Sequence, residues 1–179
     1  PFSMSFSGFD LLAEAYTNRA QTGGKDSYTQ NGANISIYYI MKSFSIGGTL
    51  DYSKKISAAA NYDYLAGNYS SARGDLIYDD KTFKFNLFGA INAIDAGDQT
   101  LTGGLLPYAR REAEVGGLLG YWIEKTYRIS GTYSSVIRDY DHIVAPSGIR
   151  RHDQYSALKF RFDYRLNPNT KLYFENINI

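Results

Sequence analysis

Two histidines are the first candidates for chemistry. His142 follows Asp139 and Asp141, and His152 precedes Asp153. A carboxylate beside an imidazole is what general-base catalysis requires. No serine stands in an evident nucleophile position, however, and adjacent residues of a strand point to opposite faces. The pattern reads as a charged loop at a water surface, and no enzyme is expected. Two histidines without a ligand spacing give no metal site. Glycine-rich phosphate loops, paired-cysteine motifs and basic aromatic platforms are all lacking, so no cofactor and no nucleic acid is implied. The formal charge of +1 points the same way. Arg73-Gly74-Asp75 matches an integrin-recognition tripeptide, but three residues recur often by chance. Asp79-Asp80 offers a cation two carboxylates; capping a turn is the simpler role.

A larger constellation is more informative. Lys84, Glu112, Glu114, Arg128, Arg138, Lys159, Arg161, Asp163 and Arg165 stand in stretches where charged or polar residues alternate with apolar ones. From Leu158 to Leu166 the even positions are apolar (Leu158, Phe160, Phe162, Tyr164, Leu166) and the odd positions are charged. A helix would scatter those charges all round; a strand gathers them on one face. Phe83 to Ala93, Tyr127 to Ile137 and Ile56 to Tyr64 show the same period of two.

The elements that must position these residues are therefore strands, expected at 9–18, 33–41, 44–53, 56–66, 82–95, 112–123, 127–140, 153–166 and 170–178. Residues 67–81 are a loop or hide one short strand, which makes eight to ten. Apolar parity switches from odd (Ile35, Ile37, Tyr39, Met41) to even (Phe44, Ile46, Leu50) at Lys42-Ser43, where a turn or a bulge is needed. Short connections (Lys42-Ser43, 124–126, 167–169) contrast with long polar ones (19–31, 96–111, 142–151). No linker divides the chain, so residues 1–179 are read as one domain.

Alternation does not say which face meets solvent. Three features place the apolar face outward, against lipid. The other face is densely charged. Tyrosines recur near strand ends (Tyr16, Tyr52, Tyr64, Tyr121, Tyr140, Tyr155, Tyr164), where their amphipathic rings suit a lipid–water boundary. The apolar face also carries Ala58, Ala60, Gly89, Ala93 and Gly117, small residues that make a poor solid core. The fold class expected is all-β, an antiparallel up-and-down transmembrane β-barrel of eight to ten strands with the nine charged residues lining its lumen.

The stretches Tyr127–Asp141, Arg150–Ser156 and Asp163–Thr170 resemble terminal hairpins of Gram-negative outer-membrane β-barrels, most nearly porin-like or translocator barrels. The resemblance covers about a third of the chain and identifies no particular protein. It implies the bacterial outer membrane as location, its lipid as a partner, and a polar solute or a secretion or periplasmic partner. Such barrels usually end on an aromatic residue, whereas this chain ends Asn176-Ile-Asn-Ile179. Pro1-Phe2-Ser3 has neither the basic start nor the apolar core of a leader, as expected of a mature or trimmed form.

Two functions follow with about equal weight. A wide barrel has a polar-lined pore or translocator; a narrow one is filled by its paired charges and serves as an anchor or adhesin. A hydrolase at the barrel mouth is a distant third. The turns also set registers. Pairs summing to about 250 put Glu112 opposite Arg138, and pairs summing to 336 put Arg161 opposite Glu175 and Phe162 opposite Phe174.

Overall fold

A computed structural model gives an all-β chain whose only helix, among the described residues, is one 3-10 segment. It describes residues 1–22, 25–58, 60–80, 82–101, 104–107, 109–124, 126–144, 148–167 and 170–178. The strands are β1 (Phe2–Phe6), β2 (Phe9–Thr22), β3 (Lys25–Met41), β4 (Phe44–Ser57), β5 (Gly67–Asp79), β6 (Phe83–Ala96), β7 (Asp98–Leu101), β8 (Gly104–Pro107), β9 (Arg110–Ile123), β10 (Tyr127–Val144), β11 (Ile149–Asn167) and β12 (Thr170–Asn178). Ten of them form one antiparallel up-and-down sheet in the order β1-β2-β3-β4-β5-β6-β9-β10-β11-β12, and β7 and β8 form a separate hairpin. The expected barrel is not closed: β1 and β12 are the two edges of the sheet.

Several boundaries differ from expectation. Residues 56–66 are not a strand, since β4 runs to Ser57 and Ala60–Leu65 form the 3-10 helix. The alternation of Ile56, Ala58, Ala60, Tyr62 and Tyr64 therefore crosses a strand end. Residues 67–81 hold a full strand, β5, whose glycine and serines masked it. Phe2, Met4 and Phe6 alternate with serines in β1, a strand not foreseen. The loops expected at 19–31, 96–111 and 142–151 shrink, because β2, β3, β10 and β11 extend into them and β7–β8 occupies the second. Of the expected short and long connections, residues 23–24, 102–103, 108, 125, 145–147 and 168–169 lie outside the described residues, as does the His142 side chain.

Lys42-Ser43 is a turn, with Lys42 at φ 52°. Ser7 and Glu124 adopt the same left-handed backbone, at φ 48° and 52°. At the 80–82 turn, Asp80 Oδ1 accepts from the backbone N–H groups of Thr82 and Phe83 at 2.7 and 2.6 Å. The Asp80 carboxyl is held below the usual carboxylate range, by the Tyr78 hydroxyl first and these two N–H groups next. The β1-to-β2, β3-to-β4, β5-to-β6, β9-to-β10 and β11-to-β12 strand ends all lie at one end of the sheet, opposite the 3-10 helix and the β7–β8 hairpin.

The sheet is inverted relative to a soluble protein. Asp163 and Asp75 are 4% and 7% exposed, whereas Phe6 and Phe174 are 74% and 71% exposed. A single layer buries one face only by curling round it, so the polar face is the inner one. The outer face is apolar from Phe83 to Ala93 on β6, Ala113 to Ile123 on β9 and Tyr127 to Ile137 on β10.

Candidate functional site

The register brings the nine expected residues to one face. They are the even positions Lys84 on β6, Glu112 and Glu114 on β9 and Arg128 and Arg138 on β10, and the odd positions Lys159, Arg161, Asp163 and Arg165 on β11. Lys84 opposes Gly120, Arg138 opposes Glu112, and Arg128 opposes Asp163. Arg161 faces Glu175 and Phe162 faces Phe174, as the turn arithmetic requires.

Most inner charges are paired. Glu112 Oε1 lies 2.8 Å from Arg110 Nε and 2.5 Å from Arg138 Nε. Lys84 Nζ meets Asp79 at 2.7 Å, and Lys159 Nζ meets Glu175 at 2.8 Å. The Arg161 fork donates two bonds to Asp163 Oδ1, at 2.9 and 2.8 Å, and reaches Glu175 at 3.7 Å.

A local rule underlies four ion pairs of this face. Arg73 pairs with Asp75, Arg110 with Glu112, Arg151 with Asp153 and Arg161 with Asp163. Each is an arginine followed two residues later by an acid. Strand geometry puts positions i and i+2 on one face, so the guanidinium reaches its own strand's carboxylate. Arg73-Gly74-Asp75 is one case of this rule. Its aspartate is buried, which sets aside the exposed recognition loop that the tripeptide suggests.

Aromatic rings extend the network across strands. Tyr38 on β3 donates to Asp75 on β5 at 3.3 Å, across β4, where its neighbour is Gly47. A Cβ on Gly47 would stand 2.7 Å from the Tyr38 ring and 2.1 Å from the Ile37 carbonyl oxygen. Glycine there lets the ring lie flat on the sheet. Tyr16 does the same over Gly32 to reach Asp51 at 3.1 Å, and the Phe88 ring covers Gly116. Tyr140 donates to Asp153 at 3.3 Å, and Tyr155 lies under the Arg138 guanidinium. Tyr16, Tyr140 and Tyr155 thus serve the inner face and not the outer aromatic rows assigned to them.

The outer face has two distinct margins. Near the short turns it carries Phe6, Phe9, Tyr39, Phe44, Tyr78, Phe83, Tyr121, Tyr127 and Tyr164, in one aromatic row. Phe9 meets Tyr39 with ring centroids 4.6 Å apart, Phe44 meets Tyr78 at 4.7 Å, and Tyr127 stacks on Tyr164 at 5.1 Å. Toward the other end the apolar band stops at Arg111, Asp139 and His152, which are successive cross-strand neighbours. His152 Nδ1 lies 2.6 Å from Asp139 Oδ1, an exposed pair on the outer rim. Among the described residues no cluster of His, Cys, Asp and Glu has the grouping of a metal site.

Residues 73, 75, 38, 51, 110, 122, 151 and 153 belong to the inner face but are not among the nine that alternation assigns to it. Parity would have found Arg73 and Asp75 once residues 67–79 were read as a strand. Tyr38 and Trp122 carry no charge to flag them. The chain matches no protein-family model, and no curated protein matches it.

Proposed function

We propose that the chain is the membrane-spanning sheet of a bacterial outer-membrane β-barrel, with lipid on its apolar face and a polar-lined passage for small polar solutes within. The observation that carries this reading is the inverted partition: Phe160, Phe162 and Leu119 exposed, Asp75, Asp163, Ser53 and Ser130 buried. A soluble protein leaves no such continuous apolar face in water. An aromatic row at one margin of the apolar band and charged residues at the other support this reading, since membrane-spanning sheets carry such borders. Lys84, Glu112, Glu114, Arg128, Arg138, Lys159, Arg161, Asp163 and Arg165 are then the lumen lining. A second reading, a filled barrel acting as anchor or adhesin, is favoured by the number of paired inner charges; ten strands lie only a little above the eight that side chains fill.

Reconstitution of the refolded protein into planar bilayers tests the passage. Stepwise conductance that changes its ion selectivity in Glu112→Gln supports it. A protein that inserts, resists carbonate extraction and carries no current is the filled barrel. A protein that stays in the aqueous phase overturns the membrane reading itself.

A further inference from the structure

Seven arginines lie on the inner face by register: Arg73, Arg110, Arg128, Arg138, Arg151, Arg161 and Arg165. Four have an acid two residues on and pair with it. Arg138 has none and takes Glu112 from β9 instead. Arg128 and Arg165 are followed at that position by Ser130 and Asn167. Among the described residues neither has an ion pair, and the Nε of each is buried without a hydrogen-bond partner. Both guanidiniums lie against one ring: Arg165 is 4.9 Å and Arg128 5.8 Å from the centroid of Trp122. The ring balances part of the charge, but a buried N–H without an acceptor remains costly.

The surroundings hold the pair open. Trp122 on β9 neighbours Arg128 on β10 and reaches across that strand to Arg165 on β11. Arg128 lies over Gly120, where a Cβ would stand 3.3 Å from its Nε. Asp163 faces Arg128 across the strand pair, yet its Oδ1 is taken by Arg161 and its Oδ2 has no partner. Two cations therefore sit at the short-turn end of the inner face, with one competing carboxylate oxygen beside them.

We propose that Trp122, Arg128 and Arg165 form a binding site for a phosphate-type oxyanion. A tetrahedral dianion presents oxygens in several directions and so can accept from two guanidiniums on different strands at once, whereas a planar carboxylate matches a single fork. The site is on the polar face, away from the apolar band, so its ligand is a soluble phosphate and not a lipid headgroup. The proposal goes beyond a passage and holds whether or not current flows.

Trp122 is the chain's single tryptophan and reports directly. Protein refolded in detergent micelles is titrated with sodium phosphate, and with sodium chloride at matched ionic strength to remove general screening. A saturable fluorescence change with phosphate and none with chloride is expected. Loss of one charge-assisted contact in Arg165→Gln or Arg128→Gln should weaken binding roughly tenfold. Asp163→Asn should tighten it by removing the competitor. Far-UV circular dichroism and heat-modified gel mobility establish that each variant is folded, and Arg165→Lys keeps the charge if the glutamine variant is not. A response equal for the two salts, or glutamine variants that bind as the parent does, overturns the site. Conduction without a saturable phosphate response would reject the site and leave the passage; the reverse would keep the site in a filled barrel.

Discussion

Leu118 and Leu119 are consecutive leucines on β9, and they separate a lipid-facing surface from every alternative. Leu119 is 56% exposed and lies near the middle of the apolar stretch from Ala113 to Ile123. Leu118 faces inward, between Asn86 and Thr132. An arginine on the lipid face near the midplane costs about 2–4 kcal/mol, which is roughly 30- to 1,000-fold in the folding equilibrium. At position 118 the charge enters a polar environment, and the cost is mainly lost apolar burial, about 1 kcal/mol. With a urea slope of about 2–3 kcal/mol per molar, Leu119→Arg should lower the unfolding midpoint by about 1–2 M and Leu118→Arg by about 0.5 M or less. Unfolding in phospholipid vesicles, followed by Trp122 fluorescence, measures both. In water a half-exposed leucine tolerates arginine within about 0.5 kcal/mol. If Leu119→Arg proves that mild, or if Leu118→Arg is the worse of the two, the assignment of faces is wrong.

Gly47→Val should destabilise by about 1–3 kcal/mol, since its side chain collides with the Ile37 carbonyl and the Tyr38 ring; Tyr38→Phe, which loses only the bond to Asp75, should cost about 0.5–1.5 kcal/mol in the same urea assay. Reversing the charges of Arg161 and Glu175 together should restore part of the stability that either single reversal loses, by roughly 0.2–1 kcal/mol, and a double-mutant cycle reads that coupling. Asp80 is depressed in the folded state, so its contribution is complete above the ordinary carboxylate range and is lost as pH falls through the lower folded value. The acid limb of the unfolding midpoint should flatten in Asp80→Asn, and an unchanged limb would remove Asp80 from the account.

The period of two was legible because strand pleating repeats it without exception where the apolar residues are large. Phe83 to Ala93, Tyr127 to Ile137 and the even positions from Leu158 declare both strand and face. Legibility failed where side chains are small. Ser70, Ser71 and Gly74 in β5 carry little apolar contrast, so a full-length strand reads as a loop or at most one short strand. At 56–66 the opposite error arose, because Ile56, Ala58 and Ala60 prolong the alternation of β4 past its end at Ser57. Loop lengths were overestimated because polarity marks contact with water, and the polar ends of β2, β3, β10 and β11 remain paired beyond the apolar band. Closure is a different matter. Whether β1 and β12 meet is a property of the two edges, and alternation within each strand carries no term for it.

The paired arginines bear on how such a face is assembled. A charge that waits for a partner on another strand is uncompensated until the register is set. Arg73, Arg110, Arg151 and Arg161 have their acids on the same strand, two residues away, so compensation needs only an extended backbone. This makes the inner face tolerant of the order in which strands pair. Cross-strand contacts such as Arg138 to Glu112 then select the register without having to offset every buried charge. The two arginines outside this rule, Arg128 and Arg165, sit on neighbouring strands beside one tryptophan. A face that neutralises its other arginines locally or across one strand pair leaves its electrostatic asymmetry at that place, and that is where an anion has something to gain.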